Sequence, residues 1–116
     1  MKCLLVPVVG PVREVELPDD TNGFLNEAET QLDCFCVEFV YIPGGYYVMI
    51  VDESGKICNP PKRMNIRASP LYGGFPREYI AGDVLIGKRG FVNGSPDIVG
   101  LTDEEINDLK KYYRGG

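Results

Sequence analysis

Phe35-Cys36-Val37-Glu38-Phe39-Val40-Tyr41-Ile42, then Pro43-Gly44-Gly45, then Tyr46-Tyr47-Val48-Met49-Ile50-Val51 is the stretch that decides the fold. Both runs are dominated by aromatic and β-branched residues, which suit a pleated and largely buried surface. The proline and two glycines between them supply a hairpin loop. Asp52-Glu53-Ser54-Gly55 then reads as a type I turn with Gly55 at positive φ, leading into a third strand at Lys56 to Cys58. The centre of the chain is therefore expected to be a three-strand meander.

Upstream, Cys3 to Val9 reads as a buried strand, and Gly10-Pro11 turns it into Val12 to Leu17 to make an opening β-hairpin. Pro7 has no amide proton to donate, which places it at an edge or bulge of that first strand. Pro18 to Asn22 is rich in turn formers and N-caps. It precedes Phe24, Leu25, Ala28 and Leu32, which share one face at helical spacing. Downstream, Val84, Leu85 and Ile86 predict a strand ending at Gly87. Thr102 with Glu105 three residues later is a capping-box signature, and Ile106, Leu109 and Tyr113 follow on one helical face. Asp103 and Glu104 in the first turn, Lys110, Lys111 and Arg114 in the last, and Gly115 at the end all agree with the helix dipole and C-cap rules.

These elements predict an α+β fold: a small, mostly antiparallel sheet with an N-terminal hairpin, a central meander and two helices, the last at the C-terminus. At 116 residues one core is expected, so residues 1–116 are read as a single domain. No repeat of solenoid period interrupts it. Residues 59–77, from Asn59 to Arg77, form the exception. Prolines at 60, 61, 70 and 76 and glycines at 73 and 74 resist both helix and central strand, apart from a turn near Met64 to Ile66. Irregular connections of that length inside a small domain are usually functional or disordered.

Hydrophobic residues make up 44% and charged residues 25%, values that fit a folded soluble protein rather than a disordered one. The longest apolar runs fall well short of a membrane span, and Pro7 and Gly10 break up the one signal-like stretch. A cytoplasmic location and no membrane partner are expected. The net charge of −5 argues against a protein that coats nucleic acid with its whole surface, yet is too modest for a mimic of duplex DNA.

Histidine is absent, which removes the commonest neutral-pH base and every Ser-His or Cys-His nucleophile. The acidic pairs Asp19-Asp20 and Asp52-Glu53 fall in predicted turns, where carboxylates are common without catalysis. No catalytic residue is assigned and no cofactor is expected. Cys34 and Cys36 would share a strand face that Cys58 could approach, but a structural zinc site draws on paired cysteines in tight turns, and a second pair is lacking. The cysteines are read as small buried hydrophobes, with no metal assigned. Gly87-Lys88-Arg89-Gly90 has the spacing of the loop with which KH domains clamp a nucleic-acid backbone, but lacks the flanking helices that such a loop requires.

Charge is unevenly spread. Residues 1–61 hold three bases against ten acids, a balance of −7, whereas residues 62–89 hold six bases against two acids, a balance of +4. Lys62, Arg63, Arg67, Arg77, Lys88 and Arg89 are those bases, and Tyr72, Phe75 and Tyr79 interleave with them. Cations beside aromatics can hold phosphates, stack on bases or meet an acidic patch on a partner. The plainer account is that they neutralise the acidic first half while the aromatics close the core beneath the loop.

Several short motifs, in this order, carry a family resemblance. They are the hairpin of Lys2 to Leu17, Val48-Met49-Ile50-Val51-Asp52-Glu53-Ser54-Gly55-Lys56, Asn59-Pro60-Pro61-Lys62-Arg63-Met64-Asn65, Ile80 to Gly87, and Leu101-Thr102-Asp103-Glu104-Glu105. Together they resemble the domain-of-unknown-function family 3846, which is widespread in Gram-positive bacteria, their phages and plasmids. Tyr72 to Pro76 departs from that pattern as a glycine- and proline-rich insertion. The resemblance implies a mobile-element or gut-bacterial origin and transfers no catalytic residue.

The expected function is that of a non-enzymatic interaction module, an accessory protein that engages and inhibits a host or defence protein. Its contact surface would be the loop of Asn59 to Arg77 together with Lys88 and Arg89. Two alternatives use the same chain differently: nucleotide or nucleic-acid phosphate binding through residues 62–89, and a metal-dependent enzyme. An exposed strand edge would also allow two copies to pair as a homodimer.

Overall fold

Along the first strand the side chains fall alternately into two separate cores. Cys3 and Leu5 join one, Leu4 and Val6 the other. A strand covered on both faces reads as an unbroken apolar run rather than an alternating one, which is why Cys3 to Val6 shows no polar interruption. The computed structural model describes residues 1–58, 60–71, 77–92 and 95–114, with the backbone alone described at residues 91, 92, 95, 96 and 114.

Six strands and two helices follow in the order β1 (Lys2–Val6), β2 (Arg13–Glu16), α1 (Thr21–Leu32), β3 (Val37–Tyr41), β4 (Tyr47–Asp52), β5 (Val84–Val92), β6 (Ser95–Val99) and α2 (Asp103–Arg114). All pairings are antiparallel, and the sheet runs β2-β1-β5-β4-β3, with β6 on β5. β5 is the central strand. One side of it pairs with β4, and the other pairs first with β1 and then, beyond Gly87, with β6. The chain leaves β6 where β1 begins, and the Leu101 amide donates to the Lys2 carbonyl at 2.8 Å. The predicted α+β class with an antiparallel sheet, an N-terminal hairpin and a C-terminal helix is what forms.

α1 covers the Cys3, Leu5, Ile50 and Leu85 face with Phe24, Ala28 and Leu32. Asp20 caps its start, accepting from the Gly23 amide at 2.8 Å. Its end turns through Asp33 in the left-handed region, φ 51°, and the Cys34 amide donates to the Glu29 carbonyl. α2 covers the opposite face with Ile106, Leu109 and Tyr113. Its capping box is reciprocal as predicted: the Glu105 amide donates to Thr102 Oγ1 at 3.1 Å, and the Thr102 amide donates to Glu105 Oε1 at 2.8 Å. Gly115, expected to end this helix, lies outside the described residues.

Four expectations are corrected. Lys56 to Cys58 is a turn rather than a strand, because the Ile57 and Cys58 amides both donate back to the Ser54 carbonyl. The third strand of the meander is β5, delivered from far along the chain. Gly55 is not among the positive-φ glycines. It is confined by space instead, since a Cβ there would lie 2.9 Å from the Ala81 carbonyl oxygen. The strand predicted to end at Gly87 continues to Val92 and folds back as β6, a hairpin absent from the sequence reading. The first strand stops at Val6, so Pro7 follows it rather than sitting in it.

Residues 60–71 cross the end of the sheet as a strap. Met64 bridges to Ala81, and a turn and a single 3-10 turn (Ser69–Leu71) follow. Asn65 is fully buried and uses all four of its side-chain bonds. Nδ2 donates to the carbonyls of Val6 (2.9 Å) and Gly82 (3.1 Å), and Oδ1 accepts from the amides of Arg67 (3.1 Å) and Ala68 (2.9 Å). Buried Ser69 Oγ likewise accepts from the Ile80 amide at 2.9 Å. Asn65→Ala should therefore orphan two amides and two carbonyls and lower the unfolding free energy by about 2–4 kcal/mol. Urea denaturation measures it, and a loss below about 1 kcal/mol would show that the strap is held by other contacts.

Candidate functional site

The strap walls a cleft of about 580 Å³ at the end of the sheet. Val8 and Val9 after β1, Leu32 and Asp33 at the end of α1, and Gly82 and Asp83 before β5 form its other sides. The turn after β1 is fixed by the Val8 amide, which donates to Asp83 Oδ1 at 2.9 Å. Gly82 is needed where it stands: its φ is 87°, and a Cβ there would meet Lys62 Cδ at 2.8 Å.

The predicted basic residues divide between the interior and the surface. Lys62 Nζ donates to the carbonyls of Leu32 (2.7 Å) and Asp33 (2.9 Å) and pairs with Asp52 at 2.9 Å. It caps the carbonyl end of α1 and neutralises a carboxylate that is only 7% exposed. Arg67 donates through NH1 to the carbonyls of Pro7 and Gly10, and so holds the β1–β2 turn. Lys88 pairs with Glu105 of α2 at 2.8 Å. Arg63, Arg77 and Arg89 are exposed. Arg89 lies 4.8 Å from the centre of the Tyr41 ring, on the opposite face of the sheet from Lys88. Tyr72 and Phe75 lie outside the described residues, while Tyr79 stacks under Lys56, which pairs with Glu78. Of the predicted residues that are described, the cleft brings together Lys62 and Arg63.

Several participants were not singled out from the sequence. Asp52 is expected from the sequence only as a turn carboxylate and Val9 as the end of a strand, and neither Asp83 nor Asn65 is given a role there. Val9 is 70% exposed on the cleft rim, beside exposed Pro60 and Pro61. The run Asn59-Pro60-Pro61 was a usable signal, since paired prolines fix an extended chain that presents its side chains outward.

The thiols do not assemble. Cys3 is buried in the α1-facing core, and burial pushes its thiol up to about 12. Cys34 precedes β3 and is pushed by burial to about 11, and Cys58 Sγ lies 3.4 Å from both the Gly55 and the Pro60 carbonyl, either of which can accept its one proton. Among the described residues no three His, Cys, Asp or Glu side chains converge as metal ligands. No described helix is long and apolar enough to cross a membrane.

Glu105 is the most strongly organised carboxylate. Burial pushes its pKa up, but the Lys88 ammonium, the Thr102 amide and the Tyr46 hydroxyl, all donating to it, outweigh burial and hold it at about 2. Because the folded value lies below the ordinary one, this carboxylate stabilises the fold above pH 4.5 and loses that effect as the pH falls towards 2. Glu105→Gln should be less stable than the parent at neutral pH, and the two should converge in acid. Denaturation midpoints across pH test this, and a pH-independent gap would refute it.

Lys62 and Arg63 give the matching contrast. Lys62→Ala should cost about 2–3 kcal/mol by stranding Asp52 and two helix carbonyls, while Arg63→Ala should stay within about 0.5 kcal/mol. Equal effects in urea melts would contradict this division between interior and surface.

No curated protein and no solved structure matches the chain. One family does: Domain of unknown function (DUF3846) matches residues 1–114. With nearly its whole length accounted for in this way, the chain belongs to the DUF3846 family.

Proposed function

We propose that this protein is a non-enzymatic interaction module that seats part of a partner protein in the strap cleft. One observation carries the reading: the cleft's rim combines exposed Val9, Pro60 and Pro61 with the outward cation Arg63 on backbone that Asn65, Lys62 and Asp83 hold rigid. A preorganised rim loses little conformational entropy on binding, and an apolar patch beside a guanidinium suits an apolar side chain flanked by a carboxylate. An accessory role, with inhibition of a host or defence protein as its form, is what the family resemblance implies. Phosphate binding by residues 62–89 has less behind it. Lys62, Arg67 and Lys88 already spend bonds inside the fold, which disperses the patch that a nucleic-acid backbone would need.

Site-specific photocrosslinking in a Gram-positive host tests the proposal. A photoreactive residue at Val9 or Arg63 should capture a discrete protein, and one at Glu104 on α2 should not. Capture must be lost when Arg63→Glu is added to the Val9 probe. Crosslinks to nucleic acid, or equal capture at Glu104, would overturn the reading.

A further inference from the structure

Two edges of the sheet, at β2 and at β3, are built differently. β2, at one edge, reads Arg13-Glu14-Val15-Glu16, with all three charged residues exposed. Charged side chains on an edge strand are a common protection against pairing with another chain. β3, at the other edge, reads Val37-Glu38-Phe39-Val40-Tyr41, with one charge and two exposed aromatics, Phe39 at 39% and Tyr41 at 55%. Nothing among the described residues pairs with its outer side.

The hydrogen-bond phase of β3 is fixed by its ends. The Ile42 amide donates to the Tyr47 carbonyl, and the Glu53 amide donates to the Cys36 carbonyl. In the same register, Cys36, Glu38, Val40 and Ile42 turn their amides and carbonyls towards β4. Val37, Phe39 and Tyr41 therefore turn theirs outward, giving three consecutive open donor–acceptor sets. The same three side chains project on the face that carries Ile50, beside α1.

We infer that β3 pairs antiparallel with β3 of a second copy of this chain, about a two-fold axis through Phe39. This register sets Phe39 opposite Phe39 and Val37 opposite Tyr41 of the second copy, and so joins every outward amide to a carbonyl. It creates aromatic and aromatic–β-branched cross-strand pairs, which are among the combinations that stabilise antiparallel sheets. Glu38 falls opposite Val40, so no like charges meet face to face, and the two Glu38 carboxylates lie on a diagonal. Extended beyond the strand, the register brings Phe35, which is 97% exposed, towards exposed Pro43 of the second copy. A two-fold seam satisfies the self-complementarity that a closed dimer requires. It also leaves the strap cleft outside the seam, so the inference does not rest on the proposed function.

Light scattering at high micromolar concentration should give twice the 12.9 kDa chain mass, and the Val37, Phe39 and Tyr41 amides should exchange more slowly there than in dilute solution. Phe39→Pro, which removes an outward donor and no bond to β4, should return the mass to one chain while the circular dichroism of the fold persists. Register is read independently by cysteine pairing in a Cys34→Ser, Cys36→Ser, Cys58→Ser background. In the proposed register Phe39→Cys faces its own copy at about 5.5 Å between Cα atoms, within disulfide reach. Val37→Cys lies about 13 Å from its copy and should crosslink only when mixed with Tyr41→Cys. A single-chain mass at high concentration, or a Phe39→Cys protein that crosslinks no faster than Val37→Cys, overturns the inference.

Discussion

The buried amide of Asn65 is the constraint on which the arrangement of this protein depends. Three segments far apart in sequence meet at the end of the sheet: the exit of β1, the entry to β5 at Gly82, and the strap. Each arrives with backbone groups that no ladder satisfies. One carboxamide with two donors and two acceptor sites is the smallest side chain that can serve all of them. Aspartate would present no donors to the carbonyls of Val6 and Gly82, and leucine would leave four polar groups dry. Since the Oδ1 side faces two amides and the Nδ2 side two carbonyls, the orientation of the amide follows from its partners.

Once that junction is fixed, the sheet can be sealed from both sides. The alternation of β1 and β4 between the α1 core and the α2 core means that neither helix could leave without exposing half of every central strand. β5 holds the sheet together by accepting β4 along one flank and β1 and β6 end to end along the other. That dual use requires small residues where β6 lies close. A Cβ on Gly90 would meet the Val99 methyls at 2.8 Å, and one on Gly87 would meet Ile98 at 3.1 Å. The glycines that look like a break in the sequence are the places where a neighbouring strand needs room.

This explains which parts of the fold were legible. The α2 capping box, the Asp20 cap and the β3–β4 hairpin are determined by residues within a few positions of each other, so residue type and spacing suffice. The β5–β6 hairpin was not legible, because Gly87-Lys88-Arg89-Gly90 has no apolar alternation. Its strand character comes from β4 and Val99, which are distant partners. Lys56 to Cys58 erred in the opposite direction: a plausible strand sequence lost to the Ser54 carbonyl, which gathers two amides into a turn. The candidate site was readable only as a composition. A lysine that caps a helix and a lysine that waits for a ligand are the same letter, and only the positions of Leu32, Asp33 and Asp52 tell Lys62 apart from Arg63.

The contrast between an acidic first half and a basic middle therefore has a physical origin in part. Lys62 with Asp52 joins the basic middle to the acidic half, whereas Lys56 with Glu78 pairs in the reverse sense and Lys88 with Glu105 ties β5 to α2. Arg67 needs no acid, because its guanidinium serves carbonyls that the β1–β2 turn leaves open. Fixed planar donors suit that task better than a flexible ammonium would. Charge used in this way gives specificity more than stability, since each pair matches one crossing of the chain and would be mismatched in a slipped register. What remains on the surface is then informative by subtraction. Arg63 stands beside Val9, Pro60 and Pro61 with no structural duty visible among the described residues. A cation held on rigid backbone next to apolar surface differs, in both hydration and entropy, from one that floats on a loop.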